Sequence, residues 1–319
     1  MSSISRRQPK VSIGLPVYNG ERYLRSAIES ILAQSLGDFE LIISDNASTD
    51  ETETICRKFM ALDKRIRYHR NAQNMGAAAN FNQCFELASG EYFKWAAHDD
   101  ICSPDFLSKC IDVLEKDSSV VLCSTEVTFI DENGKIIRTH DSNLKNPNSP
   151  QVYIRFADLT SISHWCFDIF GVIKSDALRK TALIASYVGS DRNTLVVLGL
   201  LGRFHRIPEY LFFSRDHKER SIRKYPQPIS RTKWFDPGVG CRVVFPHWRI
   251  FLEYIKSVGR VDLPVKQQAL CYLHLLRWLK LNSRRMKTDV IVALKETARN
   301  FGPRQKSCRT LREVDNDKI

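Results

Sequence analysis

Asp or Asn residues follow directly after three apolar runs in the first hundred residues of the chain. The three pairs are Tyr18-Asn19, Asp45-Asn46 and Asp99-Asp100. Two adjacent carboxylates at 99 and 100 are more than one helix cap requires, and three residues separate them from Pro104. Side chains of this kind bind ligands through charge and hydrogen bonds. They are therefore the first candidates for a functional site.

Alternating strand and helix patterns position these polar pairs. Apolar runs predict four buried strands, at 11–16, 39–44, 66–69 and 92–96. Helical spacing of apolar residues predicts helices at 21–35, from 51 onward, and at 77–87. Repeated strand–helix units predict an α/β fold with a parallel sheet, in which ligands bind beyond the carboxyl ends of the strands. All three pairs belong to that edge of the predicted sheet.

The pattern changes further along the chain. Beyond residue 100 it predicts a helix at 104–116, a hairpin around Asn133-Gly134, and strands at 170–173 and 210–213. After about residue 222 come Lys/Arg-rich stretches with several prolines, followed by helical patterns at 246–256 and 266–281. We therefore predict an α/β domain over residues 1–222 and a basic, mainly helical region over residues 223–319.

Composition excludes several classes of protein. The chain has 319 residues, of which 43% are hydrophobic and 26% charged, so it is not a disordered chain, a collagen-like fibre or a small disulfide scaffold. The net charge of +12 is uneven. Residues 1–200 hold 22 basic and 25 acidic side chains (−3), and residues 201–319 hold 26 and 11 (+15). The basic third suggests an anionic partner, although a solvated Lys/Arg face explains it equally well.

The order of motifs resembles that of the inverting glycosyltransferases of family 2, which have the GT-A fold. Eight short motifs carry the resemblance, at 11–19, 45–50, 74–76, 90–92, 98–105, 189–191, 202–204 and 215–217. The resemblance implies a Rossmann-like mixed sheet with flanking helices as the catalytic domain, followed by a C-terminal helical region. It also implies hexosyl-type transfer, with inversion, from a nucleoside-diphosphate sugar to a hydroxyl acceptor, in cell-surface polysaccharide or glycolipid assembly.

The resemblance implies a donor site on the first loops. The matching residues are Pro16, Tyr18, Glu21, Asp45, Asn74 and Gly76. Asp45 matches the acceptor of a hydrogen bond from a uracil-type base, which makes a UDP-sugar the expected donor. Simpler roles stay open: a helix cap for Asp45, a surface aromatic for Tyr18, and a tight turn for Gly76.

His98-Asp99-Asp100 matches the region in which an Asp coordinates a divalent cation that bridges the donor phosphates. Mg²⁺ or Mn²⁺ suits carboxylate ligands and neutralises a leaving diphosphate. We expect Asp100 to be a metal ligand and Asp99 to contact the metal or the ribose. Ala97 stands where many family members have a further carboxylate. The ligand set implied for this chain is therefore smaller.

Asp191 matches the general base that takes the proton of the acceptor hydroxyl, with a helix cap as its simpler role. Arg215 and His217 match a segment that approaches the diphosphate or the metal, where positive donors stabilise the leaving group. His217 as an ordinary loop residue is the alternative. Trp165 lies where an acceptor site is expected, and either stacks on a sugar or fills a core.

Cysteine usage, apolar runs and the tail helices predict the cellular location and the binding partners. Nine cysteines without a C-x-x-C pair, no apolar leader and no apolar run long enough to cross a bilayer predict a cytoplasmic protein. Trp and Leu beside Lys and Arg in the tail helices suit an anionic membrane surface at the inner face of the membrane. Docking of these helices onto the catalytic domain is the alternative. A glycan or a lipid-linked acceptor is expected. Nucleic acid is not, because no such binding motif is present.

Two other functions remain as alternatives. A sugar-phosphate nucleotidyltransferase has a related α/β core, but that class expects a Gly-rich phosphate loop with a basic residue near the first strand, and this chain has Pro-Val-Tyr-Asn-Gly there. A non-enzymatic protein that binds an anionic ligand would explain the basic tail. A glycosyltransferase releases nucleoside diphosphate from a sugar nucleotide, whereas a nucleotidyltransferase consumes nucleoside triphosphate and releases pyrophosphate. A binding protein does neither.

Overall fold

The computed structural model describes residues 8–161, 164–225, 228–239 and 245–301. Within these ranges the chain forms a nine-stranded mixed sheet with flanking helices, which confirms the predicted α/β class. The strands are β1 Val11–Val17, β2 Phe39–Asp45, β3 Ile66–Arg70, β4 Tyr92–Trp95, β5 Ile101–Cys102, β6 Val120–Ile130, β7 Ile136–His140, β8 Val172–Lys174 and β9 Arg203–Arg215.

Eleven α-helices connect and flank these strands in the described part of the chain. They are α1 Glu21–Leu32, α2 Thr52–Leu62, α3 Ala77–Glu86, α4 Phe106–Lys116, α5 Val152–Ser161, α6 Ser175–Arg179, α7 Ser190–Leu201, α8 Ser221–Lys224, α9 Pro228–Phe235, α10 Pro246–Arg260 and α11 Val265–Phe301.

The sheet order brings the strand ends of the candidate site together. The order is β3-β2-β1-β4-β8-β6-β9-β5, with β7 paired to β6. The strands β3, β2, β1 and β4 are parallel, whereas β8 runs antiparallel to both of its neighbours. β1 and β2 are buried at every position, as the apolar runs predict for strands covered on both faces. In the register, Val17 lies opposite Asp45, and Asp45 opposite Arg70.

Several elements differ from the sequence prediction. β9 begins at residue 203, not at 210 as predicted. Its first half carries polar residues that interrupt the apolar run, so the sequence pattern does not show that this part is a strand. β5 contains two residues, too few to show a period, and it pairs antiparallel with β9 directly after Asp100. α5 was not predicted, and α11 continues to residue 301, well past 281.

The two tail helices pack on the α/β domain. Tyr254 of α10 and Trp278 of α11 are buried in the same apolar cluster as Phe156 of α5 and Leu195 of α7. The Trp278 indole donates a hydrogen bond to the backbone carbonyl of Thr160 (3.1 Å). One face of each tail helix therefore packs on the α/β domain, as the docking alternative predicts. The domain boundary at residue 222 stays a prediction. No helix in the described ranges is long and apolar enough to cross a bilayer.

Replacing the indole of Trp278 tests this packing. Trp278→Ala removes a buried ring that stacks on Phe251 at 5.6 Å between centroids, so we expect a loss of about 3–5 kcal/mol in the free energy of unfolding. Urea denaturation measures it. Leu281→Ala, on the same helix but 75% exposed, is the matched control and should cost less than about 0.5 kcal/mol. Equal costs for the two variants would contradict the docked arrangement.

Candidate active site

The loops that follow β1 and β2 are tied to each other through backbone amides. The Glu21 carboxylate accepts a hydrogen bond from the backbone amide of Glu51 (3.0 Å). The Asp50 carboxylate accepts one from the amide of Glu21 (3.0 Å) and one from that of Thr52 (3.1 Å), at the start of α2. Asp50 therefore binds two backbone amides where these loops meet the start of α2. Glu21 holds this loop pair together, and its contact with a nucleotide stays a prediction.

Tyr18 and Pro16 occupy different environments at the end of β1. Pro16 is buried within the strand, opposite Ser44 of β2. Tyr18 leaves its ring 46% exposed, and the following Asn19 has a positive φ of 51°. This turn carries the chain away from the sheet and presents the Tyr18 ring to solvent, where a flat ligand can stack on it.

Asp45 is completely buried at the carboxyl end of β2. Its carboxylate accepts hydrogen bonds from the backbone amide of Ser48 (2.8 Å), the Tyr68 hydroxyl (2.7 Å) and the Arg70 guanidinium (2.8 Å). These contacts anchor the loop, and the contact of Asp45 with a base stays a prediction. Arg70 was missed in the sequence. It is the last residue of β3. About a third of its side chain is exposed, although the Asp45 carboxylate that it binds is buried.

A group of asparagines holds the loop that contains Asn74 and Gly76. The Asn46 side chain donates to the Asn74 side-chain oxygen (2.8 Å), and its own oxygen accepts from the Met75 amide (2.9 Å). Asn71 and Asn80 extend the network towards β2. Asn46 is buried, whereas Asn74 is exposed. A sequence signal existed, because three of the four asparagines directly follow or lie near predicted strand ends.

Gly76 has a φ of 86°, which favours glycine. A Cβ at this position would lie 2.6 Å from the carbonyl oxygen of Phe235 and 2.5 Å from Pro237 Cδ. The backbone after α9 therefore sits directly against the Asn74–Gly76 loop. The tight-turn role for Gly76 is correct, and close approach of the tail is a second reason for glycine.

The adjacent carboxylates Asp99 and Asp100 are bound by the end of β9. His217 Nε2 lies 2.8 Å from Asp99 Oδ2, and the Arg215 amide donates to Asp100 Oδ1 (2.8 Å). Arg215 Nε donates to the Asp99 carbonyl (3.0 Å). Of the predicted site residues, the structure thus brings together Asp99, Asp100, Arg215 and His217. The pairing of β5 with β9 aligns these two segments.

Opposed pKa shifts separate the two carboxylates. Burial raises the pKa of Asp99, but the charges of His98 and His217 and the hydrogen bond from His217 outweigh it and lower that pKa to about 2. Burial and the neighbouring charge of Asp99 raise the pKa of Asp100 to about 8. Two like charges on adjacent residues thus favour one ionised and one protonated carboxyl. A bound cation would favour ionisation of both.

The donor set fits a cation held jointly with a ligand. No group of three or more His, Cys, Asp or Glu side chains arranged to hold a metal occurs among the described residues. Asp99 and Asp100 offer two carboxylates, which matches the usual Mg²⁺ site of one or two carboxylates plus substrate phosphates. Buried His217 Nδ1 and the Tyr23 hydroxyl beside it have no protein partner. This end of the sheet therefore has unused polar groups.

Asp191 lies apart from this group, in the first turn of α7. Its carboxylate accepts a hydrogen bond from the backbone amide of the next residue, Arg192 (2.8 Å), whereas the residue at the N-cap position of α7 is Gly189. Burial raises the pKa of Asp191, whereas Arg192 and Arg231 lower it less. The residue retains a polar, partly buried carboxyl with raised proton affinity, which suits a proton acceptor.

A series of contacts connects Asp191 with the acidic pair. Arg192 Nη2 donates to the carbonyl of His164 (2.8 Å), and the next residue, Trp165, faces the Arg220 guanidinium at 5.8 Å. Arg220 Nη2 in turn donates to Ser214 Oγ (3.2 Å), next to Arg215. Trp165 is 46% exposed and stacks on Phe167, so it is not a core residue. Arg220 lies three residues after the motif at 215–217, but the sequence does not show that it faces Trp165.

Comparison with known proteins identifies the family. The family model described as glycosyl transferase family 2 matches residues 12–179. The chain is 36% identical over 258 residues to the uncharacterized glycosyltransferase MJ1057 of Methanocaldococcus jannaschii, which covers 76% of this chain and 86% of that protein. The chain belongs to glycosyltransferase family 2. Asp191, Arg215 and His217 lie beyond the residues that the family model matches.

Two solved structures share the fold. The crystal structure of S. aureus TarS 1-349 in complex with UDP superposes with a TM-score of 0.57 at 14% identity, over 85% of this chain and 72% of that one. The mannosyltransferase PcManGT from Pyrobaculum calidifontis, in complex with GDP-Man and Mn²⁺, gives 0.54 at 17% identity, over 97% and 80%. The likeness confirms the predicted GT-A fold.

The anchoring role of Asp45 is testable. Asp45→Ala leaves Arg70 and the Ser48 amide without their buried acceptor, so we expect a loss of about 3 kcal/mol in the free energy of unfolding, measured in urea. The control is Asp176→Ala, which breaks an exposed ion pair with Arg179 and should cost less than about 1 kcal/mol. A cost for Asp45→Ala no larger than that of the control would show that the buried contacts do not hold the loop.

Proposed function

We propose that this family 2 glycosyltransferase transfers a sugar from a nucleoside-diphosphate sugar to a hydroxyl acceptor with inversion at the anomeric carbon. The observation that carries the proposal is the Asp99–Asp100 pair held against Arg215 and His217. Anionic and cationic groups side by side suit a diphosphate with its cation. The complexes of TarS with UDP and of PcManGT with GDP-Man and Mn²⁺ support a nucleotide-sugar donor and a divalent metal.

The proposed nucleotide site lies between the loops after β1, β2 and β3. Tyr18 offers an exposed ring for stacking, and Asp45 with Arg70 offers a carboxylate and a guanidinium side by side. An imide such as that of uracil presents one N–H donor flanked by carbonyl acceptors, which complements such a pair. We therefore favour a UDP-sugar. Asn74 and Gly76 bound the same site from the α3 side.

Asp100 and Asp99 would hold Mg²⁺ or Mn²⁺ together with the donor diphosphate, and the metal would supply positive charge to the leaving group. Arg215 is buried, and its guanidinium is fixed by the carbonyls of Asp99 and Asp131. His217 is fixed by Asp99. Both side chains thus keep their orientation as negative charge develops on the departing phosphate.

Asp191 is the proposed general base. Its carboxylate accepts the proton of the acceptor hydroxyl while that oxygen bonds to the anomeric carbon and the bond from that carbon to the diphosphate oxygen breaks. One displacement inverts the configuration and releases the nucleoside diphosphate. The half-exposed Trp165 offers a face for the acceptor sugar beside the Asp191 helix. We propose that the acceptor is a glycan or lipid-linked sugar of cell-surface assembly, glycosylated on the cytoplasmic side.

A donor panel tests the reaction. Purified protein incubated with UDP-, GDP- and dTDP-sugars, Mn²⁺ and a mixture of glycan acceptors should release nucleoside diphosphate. Release of pyrophosphate from a nucleoside triphosphate and a sugar phosphate would instead identify a nucleotidyltransferase. Binding of donor without turnover under any acceptor would favour a non-enzymatic role.

Asp191→Asn separates catalysis from binding. We expect donor affinity within about twofold of the wild type and a loss of transfer of about 10²-fold or more, because the amide cannot accept the proton. For the wild type, the base works only when ionised. Since burial raises the pKa of Asp191, transfer should fall with decreasing pH already above the usual Asp range of about 4. Calorimetry and a pH–rate profile measure both effects. Unchanged transfer by the variant would reject this assignment.

Asp100→Ala tests the metal. We expect the wild type to bind nucleoside diphosphate at least about tenfold more tightly with Mn²⁺ than with EDTA, and the variant to lose that gain, because one of two carboxylate ligands is gone. Calorimetry with and without metal measures it. Asp105→Ala, an exposed carboxylate at the start of α4, is the matched control and should keep the gain. A variant at residue 100 that keeps the full gain excludes this residue as a ligand.

A further inference from the structure

The long tail helix α11 presents an apolar face that the rest of the described chain does not cover. We name it the α11 stripe. Its members are Val265, Tyr272, Leu273, Leu276, Val290, Ile291 and Leu294. At about 100° per residue, all seven fall within an arc of about 100° around the helix axis, which puts them on one side of the helix. Leu276 is 64% and Leu294 65% exposed.

A neighbouring side of α11, about 100° around the helix axis from the stripe, is the one that packs on the protein. Cys271, Leu275, Trp278, Met286 and Ala293 are buried there. The α11 stripe is therefore additional apolar surface, not the helix's share of the core. It consists of two apolar segments, at 265–276 and 290–294, with Lys280, Ser283 and Lys287 between them on the same side of the helix. Exposed apolar patches rimmed by polar residues mark interaction surfaces.

Charge on α11 indicates what covers the stripe. From 265 to 295 the helix carries seven basic side chains, all exposed: Lys266, Arg277, Lys280, Arg284, Arg285, Lys287 and Lys295. None of them forms an ion pair with another described residue. The one acidic side chain in this range, Asp289, is buried and bound to His247 (2.9 Å). From 265 to 295 the exposed charge of the helix is thus entirely positive and complements an anionic surface.

The two kinds of residue share one face. Lys280 and Lys287 lie four and eleven residues after Leu276, which puts them on the same side of the helix as the stripe. In a lipid interface, long lysine side chains reach the headgroups while leucines enter the acyl boundary. A second copy of this chain packed on the stripe would bring these lysines against each other, which disfavours a dimer through this face.

The neighbouring helix α10 also exposes apolar side chains. Trp248 and Leu252 of α10 are 40% and 48% exposed, and the Trp248 indole donates to the carbonyl of Met286 on α11 (3.1 Å). Trp with one polar and one apolar side is typical of a membrane interface. The two helices together resemble a shallow amphipathic platform fixed to the catalytic domain by its buried side.

We propose that the α11 stripe binds the surface of an anionic lipid bilayer, with α11 lying in the plane of the interface. The proposal is independent of the sugar-transfer reaction, because vesicle binding is measured without donor or acceptor. Binding requires both apolar insertion and charge attraction, so it should depend on anionic lipid and weaken with salt.

Vesicle flotation with the full chain tests the proposal. We expect binding to phosphatidylcholine vesicles that contain phosphatidylglycerol and no binding to phosphatidylcholine alone. The double variant Leu276→Glu with Leu294→Glu should lose about tenfold or more of the affinity. Leu62→Glu, on α2 and 82% exposed, is the matched control and should bind as the wild type does. Thermal melting checks that each variant is folded.

A second pair of variants isolates the charge contribution. Lys280→Gln with Lys287→Gln should weaken binding about tenfold or more at low salt, since each basic residue near an anionic surface contributes about a factor of five. Lys58→Gln with Lys64→Gln removes the same charge from another exposed surface and should have little effect. Three results would overturn the proposal: no flotation of the wild type at low salt, equal flotation of the Leu276/Leu294 double variant, or a dimer in solution that this double variant dissolves.

Discussion

The rest of the active site depends on one constraint, which is that two adjacent carboxylates are held in the short loop between β4 and β5. Asp99 and Asp100 repel each other, and burial disfavours the charge on both. The end of β9 compensates with an imidazole, a guanidinium and a backbone amide. This compensation requires β9 to run past β5 in register. It also orders the β6–β7 turn, because Arg215 donates to the carbonyls of Asp131 and Glu132.

The contacts of Arg215 and His217 with the acidic pair also explain why the site is assembled from distant parts of the sequence. The family 2 match ends at residue 179, yet the partners of the acidic pair come from residues 215 and 217 and the candidate base from residue 191. The Asn74–Gly76 loop in turn is bounded by the backbone of Phe235 and the ring of Pro237. The residues that the family model matches supply the carboxylates and the loops. The residues after them supply Arg215 and His217 and the segment that packs against the Asn74–Gly76 loop.

Sequence patterns predicted the parallel half of the sheet well, since β1, β2 and β4 are apolar runs and local hydrophobicity decides their burial. They failed where tertiary pairing decides. β5 exists only because β9 lies beside it, and the polar start of β9 pairs with β6 despite its composition. In the site, the acidic pair and Asp191 stood out as single residues. The Asp45–Arg70 contact did not. The asparagines lie near predicted strand ends, but their contacts with one another were not predicted, because contacts between residues more than twenty positions apart leave no local period. The tail helices were predicted, and their buried faces are visible only in three dimensions.

The shared apolar cluster of α5, α7, α10 and α11 also sets an order in time. Leu159 and Trp278 belong to that cluster, and 119 residues separate them along the chain. At synthesis rates of roughly 5–20 residues per second, the ribosome needs roughly 6–24 s to make the segment between them. During that interval α5 and α7 expose the surface that Tyr254 and Trp278 later bury. The catalytic half of this enzyme therefore emerges with an unfinished core, and it is in this window that the nascent chain is most open to aggregation and to chaperone binding.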